Sequence, residues 1–170
     1  GMLFEEYVKT NKTAFLDKVR LISERLGINP EWLMAVMYKE SRLNEKAVNS
    51  TGGATGLIQF MPATAKGLGT TTAALKAMSN VEQLDYVYKY YKPYQNKLTS
   101  YPDLYLATFY PAALGKPDSY IIGAKGSKVS NQNPGIDLNK DGEITKGEFY
   151  KYCYSGFSPR VQDRLKKKQI

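Results

Sequence analysis

The chain has 170 residues with 42% hydrophobic content, no internal repeat and no low-complexity tract, which fits one domain, 1–170, large enough for its own core. A single cysteine, Cys153, excludes an internal disulfide framework, and the absence of histidine excludes zinc chemistry and a Cys–His nucleophile. The net charge of +8 favours an anionic polymer as partner, but the basic run Arg164, Lys166, Lys167 and Lys168 comes with no groove-reading motif, so nucleic acid is not expected and residues 160–170 read as a solvated basic tail.

The start, GMLFEEYVKTNK, has none of the charged, apolar and cleavage regions of a secretory leader, and no stretch approaches membrane-spanning length. Phe15, Leu16, Val19, Ile22 and Leu26 recur at helical spacing and predict a helix stopped by Gly27. Asn29 as N-cap, Pro30 at the first helical position and Glu31 beside the positive end of the dipole predict a second helix through WLMAVMYKES. On it Trp32, Leu33, Val36, Met37 and Glu40 fall near one stripe. A carboxyl at the end of an apolar face is partly desolvated, which disfavours its charged form and raises its pKa toward the range a general acid needs. The same spacing also allows Glu40 to turn out to solvent or to cap the next turn.

Gly52, Gly53 and Gly56 follow and permit a ligand to approach the main chain closely. In the apolar run Leu57, Ile58, Phe60, Met61, the amide of Gln59 is the one side chain able both to donate and to accept, and Pro62 opens a short helix. Ser79 or Asn80 caps a further helix from Val81 to about Tyr91. It carries Tyr86 and Tyr90 of an i, i+4 series that continues to Tyr94, suited to sugar faces and equally to packing. Ser119 to Val129 reads as a short ribbon. From 137 to 148, DLNKDGEITKGE places Asp137, Asn139, Asp141, the Glu143 carbonyl, Thr145 and Glu148 at positions 1, 3, 5, 7, 9 and 12 of an EF-hand loop. Gly142 takes the sharp turn and Ile144 the apolar position between them. Oxygen ligands at this spacing suit calcium in a structural role; a polar turn without metal is the alternative. Pro134 and Gly135 resist an entering helix, so a single loop is expected and not a paired sensor.

Glu40-Ser41, then AVNS, GATGLIQFMPATA and a later Tyr-containing segment, resemble the lytic transglycosylases of the soluble-lytic-transglycosylase (SLT) type, over about residues 25–115. The resemblance implies a mainly α, lysozyme-like fold shared with goose-type lysozymes, with the EF-hand-like loop near the C-terminus. It implies that Glu40 is the catalytic acid and base and that Ser41 and Gln59 line the sugar site. LATFYPAALG at 106–115 resembles a further family motif, with Tyr110 in the tyrosine position, Pro111 where an Asn is usual and Ala113 where a Gly is usual; Phe109 is the alternative register. Some members of the family carry one EF-hand-like site.

Glycosidases commonly use two carboxylates, about 5 Å apart for retention or up to about 9.5 Å for inversion. Between Glu40 and Gln59 the only other acid is Glu45, and Asp85 and Asp103 depend on tertiary structure to reach the site. One acid alone suits capture by the substrate's own hydroxyl. The resemblance then implies cleavage between N-acetylmuramic acid and N-acetylglucosamine of peptidoglycan with a 1,6-anhydro product, by a monomer acting at the bacterial wall and needing no cofactor for the chemistry. A hydrolytic goose-type muramidase and a silent wall-binding module are the alternatives. With no leader in view, phage delivery or a leader trimmed from the chain is expected.

Overall fold

In the computed structural model, which describes residues 1–169, the first predicted stripe is buried as a unit: Phe15, Leu16, Val19, Ile22 and Leu26 are all at most 7% exposed. They lie on α1 (Lys12–Leu26), which Gly27 ends at φ 71. That left-handed angle costs glycine nothing, which is why the helix stops there. The described chain is mainly helical and falls into two compact units, residues 1–95 with the segment from Lys167, and Asn96–Lys166. The last residue of the predicted tail, Ile170, lies outside the described residues.

In the first unit, α2 (Pro30–Ser41) begins as predicted, with Asn29 Oδ1 accepting from the Glu31 backbone N–H at 2.8 Å. The rest of the helix differs from the expected stripe: residues 31–37 are buried on every side. A helix enclosed all round is a central helix, so its apolar residues need no amphipathic spacing. Glu31 is fully buried, and its carboxylate accepts the Leu3 N–H at 2.8 Å. It therefore anchors the N-terminal segment, because a buried carboxylate without such a partner is costly. α3 (Pro62–Gly67), α4 (Thr72–Ala77) and α5 (Asn80–Tyr91) complete the unit. Ser79 and Glu82 form a capping box at the start of α5.

The basic tail is only partly solvated. Arg164 lies on a helix, and the Lys167 carbonyl accepts from Asn29 Nδ2 at 3.0 Å and from Trp32 Nε1 at 3.1 Å. The side chains of Lys166, Lys167 and Lys168 do face water.

The second unit holds α6 (Tyr101–Phe109), β1 (Ile121–Gly123), α7 (Lys128–Gln132), β2 (Ile144–Thr145), α8 (Lys146–Tyr152) and α9 (Pro159–Leu165). Phe149 of α8 is the centre of its core, stacked on Phe109 at 4.9 Å and edge-on to Tyr105 at 5.5 Å. Cys153 is buried beside them, its carbonyl accepting from Tyr101 Oη at 2.7 Å. Of the ribbon expected within 119–129, one strand forms, β1, and its partner comes from beyond that stretch. Ser127 caps α7 there instead, and β1 pairs antiparallel with β2, whose Ile144 is fully buried.

Candidate active site

Glu40 and Ser41 are the last two residues of α2, both half-buried. Helix geometry alone leaves the end of α2 unfixed; the turn that follows fixes it. Ser41 Oγ lies 2.8 Å from the Leu57 carbonyl and 3.1 Å from that of Met37, so its single proton is shared between a neighbouring turn and its own helix. The helix therefore ends tied to the GLIQF segment. Its oxygen lone pairs remain available as acceptors.

That segment is a compact double turn. Gly56 N donates to the Ala47 carbonyl at 2.8 Å, and Thr55 and Phe60 exchange two backbone bonds at 2.9 and 2.8 Å. Gly56 sits at φ 89, and a Cβ built on it would stand 2.5 Å from Gln83 Oε1, so both backbone angle and space require glycine here. Gln59 also has positive φ, 58°, unusual for a residue with a side chain. Its Nε2 donates to the carbonyls of Ala47 at 3.2 Å and Gly56 at 3.1 Å, which holds the amide against the turn and leaves Oε1 as the acceptor for a ligand. Val48 and Met61 stand about half exposed on the same loop.

One support of this turn escaped the sequence reading, and a second, Tyr90, belongs to the tyrosine series. Gln83 on α5 is completely buried; its Oε1 accepts the Leu57 N–H at 2.7 Å, while its Nε2 donates to Glu45 O at 3.0 Å and Leu75 O at 2.9 Å. The signal was present: Gln83, Val87 and Tyr91 recur every four residues, and an amide on an apolar stripe calls for partners. Tyr90 lies edge-on to Phe60 at 6.5 Å and beside Tyr94 at 5.9 Å. Burial first, then Tyr94, pushes its hydroxyl well above the ordinary tyrosine range, so it stays protonated. The tyrosine series thus packs behind the turn at Tyr90.

Neither distant carboxylate is idle. Asp85 pairs with Lys18 at 3.0 Å. Asp103 accepts from Thr99 N at 3.0 Å, from Thr99 Oγ1 at 2.7 Å and from the Tyr150 hydroxyl. Burial and then Asp103 raise the Tyr150 hydroxyl above its usual value. Of the four residues expected around a sugar, Glu40, Ser41 and Gln59 are gathered in the first unit, whereas Tyr110 belongs to the second, as the C-cap of α6. Pro111 opens the three-residue 3-10 helix Pro111–Ala113, where a missing N–H is not needed, which explains how proline is accommodated.

The family model for the Transglycosylase SLT domain matches residues 19–107. The chain belongs to the SLT transglycosylase family. The matched segment contains Glu40, Ser41, Gln59 and the unforeseen Gln83, and stops short of Tyr110 and of the 137–148 loop. This family is one of lytic transglycosylases that act on the peptidoglycan of the cell wall, and the mainly helical make-up of the chain agrees with its lysozyme-like fold. Among the described residues no helix is long and apolar enough to cross a membrane.

Beyond the SLT segment, carboxylate oxygens of Asp137, Asp141 and Glu148 all lie within 4.8 Å of one another. The loop folds around them through its own backbone: Asp137 Oδ2 accepts from Gly142 N at 2.8 Å, Asn139 Oδ1 from Asp141 N at 3.2 Å and Asp141 Oδ1 from Glu143 N at 2.9 Å. Lys140 at φ 60 and Gly142 at φ 88 make the sharp bend. Thr145 and Glu148 form the capping box of α8. The Glu143 N–H is the main reason that the Asp141 carboxyl is held below its usual range. Thr145 and Glu148 also line a cavity of about 820 Å³.

Proposed function

We propose that this SLT-family chain cleaves the β-1,4 bond between N-acetylmuramic acid and N-acetylglucosamine in peptidoglycan strands without water, leaving a 1,6-anhydro end, with Glu40 as the sole acid and base. The observation that supports this most is that Asp85 and Asp103 are each already held by other partners. Glu40 gives its proton to the glycosidic oxygen as the C1–O bond breaks, and the 2-acetamido carbonyl of the muramic residue stabilises the positive C1. The ionised Glu40 then takes the proton of the muramic 6-hydroxyl while O6 bonds to C1, which returns the acid to its starting form. No water enters the balance. Ser41 and its bond to Leu57 hold the helix end against the turn, Gln59 Oε1 accepts from the sugar, and Tyr110 orients the glycan or Glu40.

Mass spectrometry of digested peptidoglycan tests this reading. The expected muramic ends are one water lighter than hydrolytic products. Ends that carry the added water would favour a hydrolytic muramidase on the same fold.

The 137–148 loop is read as a structural calcium site. Its donors are hard oxygens, three carboxylates converge on one point, and the residues at the first, third, fifth, ninth and twelfth positions stand around it. Like charges so close favour a cation between them. Asp137, Asn139, Asp141, the Glu143 carbonyl, Thr145 and Glu148 would hold the ion, which supplies no chemistry to the cleavage. A ligand that binds only the folded state adds about 2.7 kcal/mol at a hundred times its dissociation constant. Chelation should then lower the melting temperature by roughly 5–10 °C at this chain length. Added calcium should restore it, and Asp137→Ala should abolish the response. Identical melting of wild type and variant with and without calcium would remove the metal from the account.

A further inference from the structure

The chain after α2 turns through two consecutive left-handed residues, Arg42 at φ 54 and Leu43 at φ 62. Helix ends of this kind are normally made by glycine, because a Cβ is crowded there. Leu43 has an evident reason to be present: its side chain is buried and its N–H closes on the Met37 carbonyl at 3.2 Å. Arg42 closes the helix in the same way, its N–H donating to the Tyr38 carbonyl at 2.9 Å, but no burial holds its side chain in place. Its side chain is exposed, and its guanidinium lies over the Tyr38 ring at 5.3 Å. Tyr38 is in turn stacked on Phe4 at 4.4 Å and edge-on to Tyr7 at 4.9 Å. The helix end thus carries a cation on an aromatic platform.

Arg42 also lines a cavity of about 480 Å³, together with Tyr7, Lys9, Asn44, Glu45 and Lys46. Lys9 Nζ donates to Glu6 O at 3.1 Å and Lys46 Nζ to Lys76 O at 2.9 Å, so each ammonium is steadied through one bond and keeps further donors. Among the described residues none of Lys9, Arg42 and Lys46 is in an ion pair. Three cations therefore stand around one pocket against a single carboxylate, Glu45. Its N-terminal wall, Tyr7 to Thr10, lies outside the segment that matches the SLT family.

We propose that this pocket binds a carboxylate of the short peptide that peptidoglycan strands carry, beside the site of cleavage. A guanidinium fork matches a carboxylate in two parallel bonds, and a pocket of this size takes an amino-acid-sized group. The choice of ligand rests on the peptidoglycan reading above. The position of Arg42, two residues after Glu40, puts this recognition at the end of the helix that carries the acid. The strand would then be chosen by its acidic peptide as well as by its sugars.

The test uses the full chain with Glu40→Gln, so that ligands are not consumed, and calorimetry with three soluble probes: a disaccharide peptide with acidic stem, the same molecule with its stem carboxylates amidated, and a chitin oligomer without a stem. The acidic stem should bind roughly ten- to a hundredfold more tightly than the amidated one, the range of a charge-assisted bond. Adding Arg42→Gly should bring the two stems to similar affinity with no loss of melting temperature, since glycine suits the backbone angle. Equal binding of both stems by the parent, or unchanged discrimination after Arg42→Gly, overturns the proposal. If inorganic phosphate displaces the acidic stem at comparable concentration, the pocket is a general anion site and the assignment to the peptide fails. The cleavage reading is judged separately, by the mass of products that the wild type makes from stemless strands.

Discussion

Glu40→Gln is expected to abolish the clearing of a purified cell-wall suspension while the protein still sediments with the walls and melts at the wild-type temperature. One positioned acid contributes about 10²–10⁴-fold to a rate. Here the same group has to give a proton and then take one, so the loss should reach at least the upper end, about 10⁴-fold. The folded structure should tolerate the change, because Glu40 sits half-exposed in the last turn of α2 and glutamine keeps its shape. Turbidity and calorimetry on one preparation separate the two effects. Clearing at the wild-type rate would show that another group carries the proton.

The second large effect concerns a residue remote from the chemistry. Gln83→Leu keeps the volume but leaves the Leu57 N–H and the carbonyls of Glu45 and Leu75 without their partner. A buried polar group so orphaned costs about 1–3 kcal/mol, and partial relaxation brings the three to a total of about 3–5 kcal/mol. At roughly 2–4 °C per kcal/mol for a chain of this size, the midpoint should fall by about 6–20 °C. Activity should fall with it below the transition, because Leu57 also receives the Ser41 hydroxyl and leads into Gln59. Gly56→Ala should damage the same contact from the opposite side, its new Cβ standing 2.5 Å from Gln83 Oε1. The double variant Gly56→Ala with Gln83→Ala should cost less than the sum of the singles, the mark of a shared contact. Wild-type melting of Gln83→Leu would mean that water replaces the amide and that the turn does not depend on it.

The two variants lose activity for different reasons, which the melting curves separate. On the proposed mechanism Glu40 acts on the substrate, whereas Gln83 acts through the turn. The site was legible where its logic is local. Asn29-Pro30-Glu31 announced the start of α2, Gly27 the end of α1, and the twelve-residue spacing from Asp137 to Glu148 announced a loop whose carboxylates do converge. Each of these depends on backbone groups within a few residues, and local hydrogen bonds follow from residue order.

What the sequence by itself determined is the family of the chain and the oxygen donors of the loop, both carried by short, dense motifs. Only the tertiary structure decided what those residues touch. Glu31, read as a dipole partner, proved to be a buried anchor for Leu3, and the Ser41 hydroxyl proved to be shared between Leu57 and Met37. Gln83 became the bracket of the glycine turn, Ile144 found its strand partner at β1 and not in a second loop, and the basic tail was pinned by Asn29 and Trp32. The physical reason is common to all of them. A buried polar group has to find a partner somewhere, but which partner depends on chain segments brought together from far apart, and residue order alone does not record that meeting.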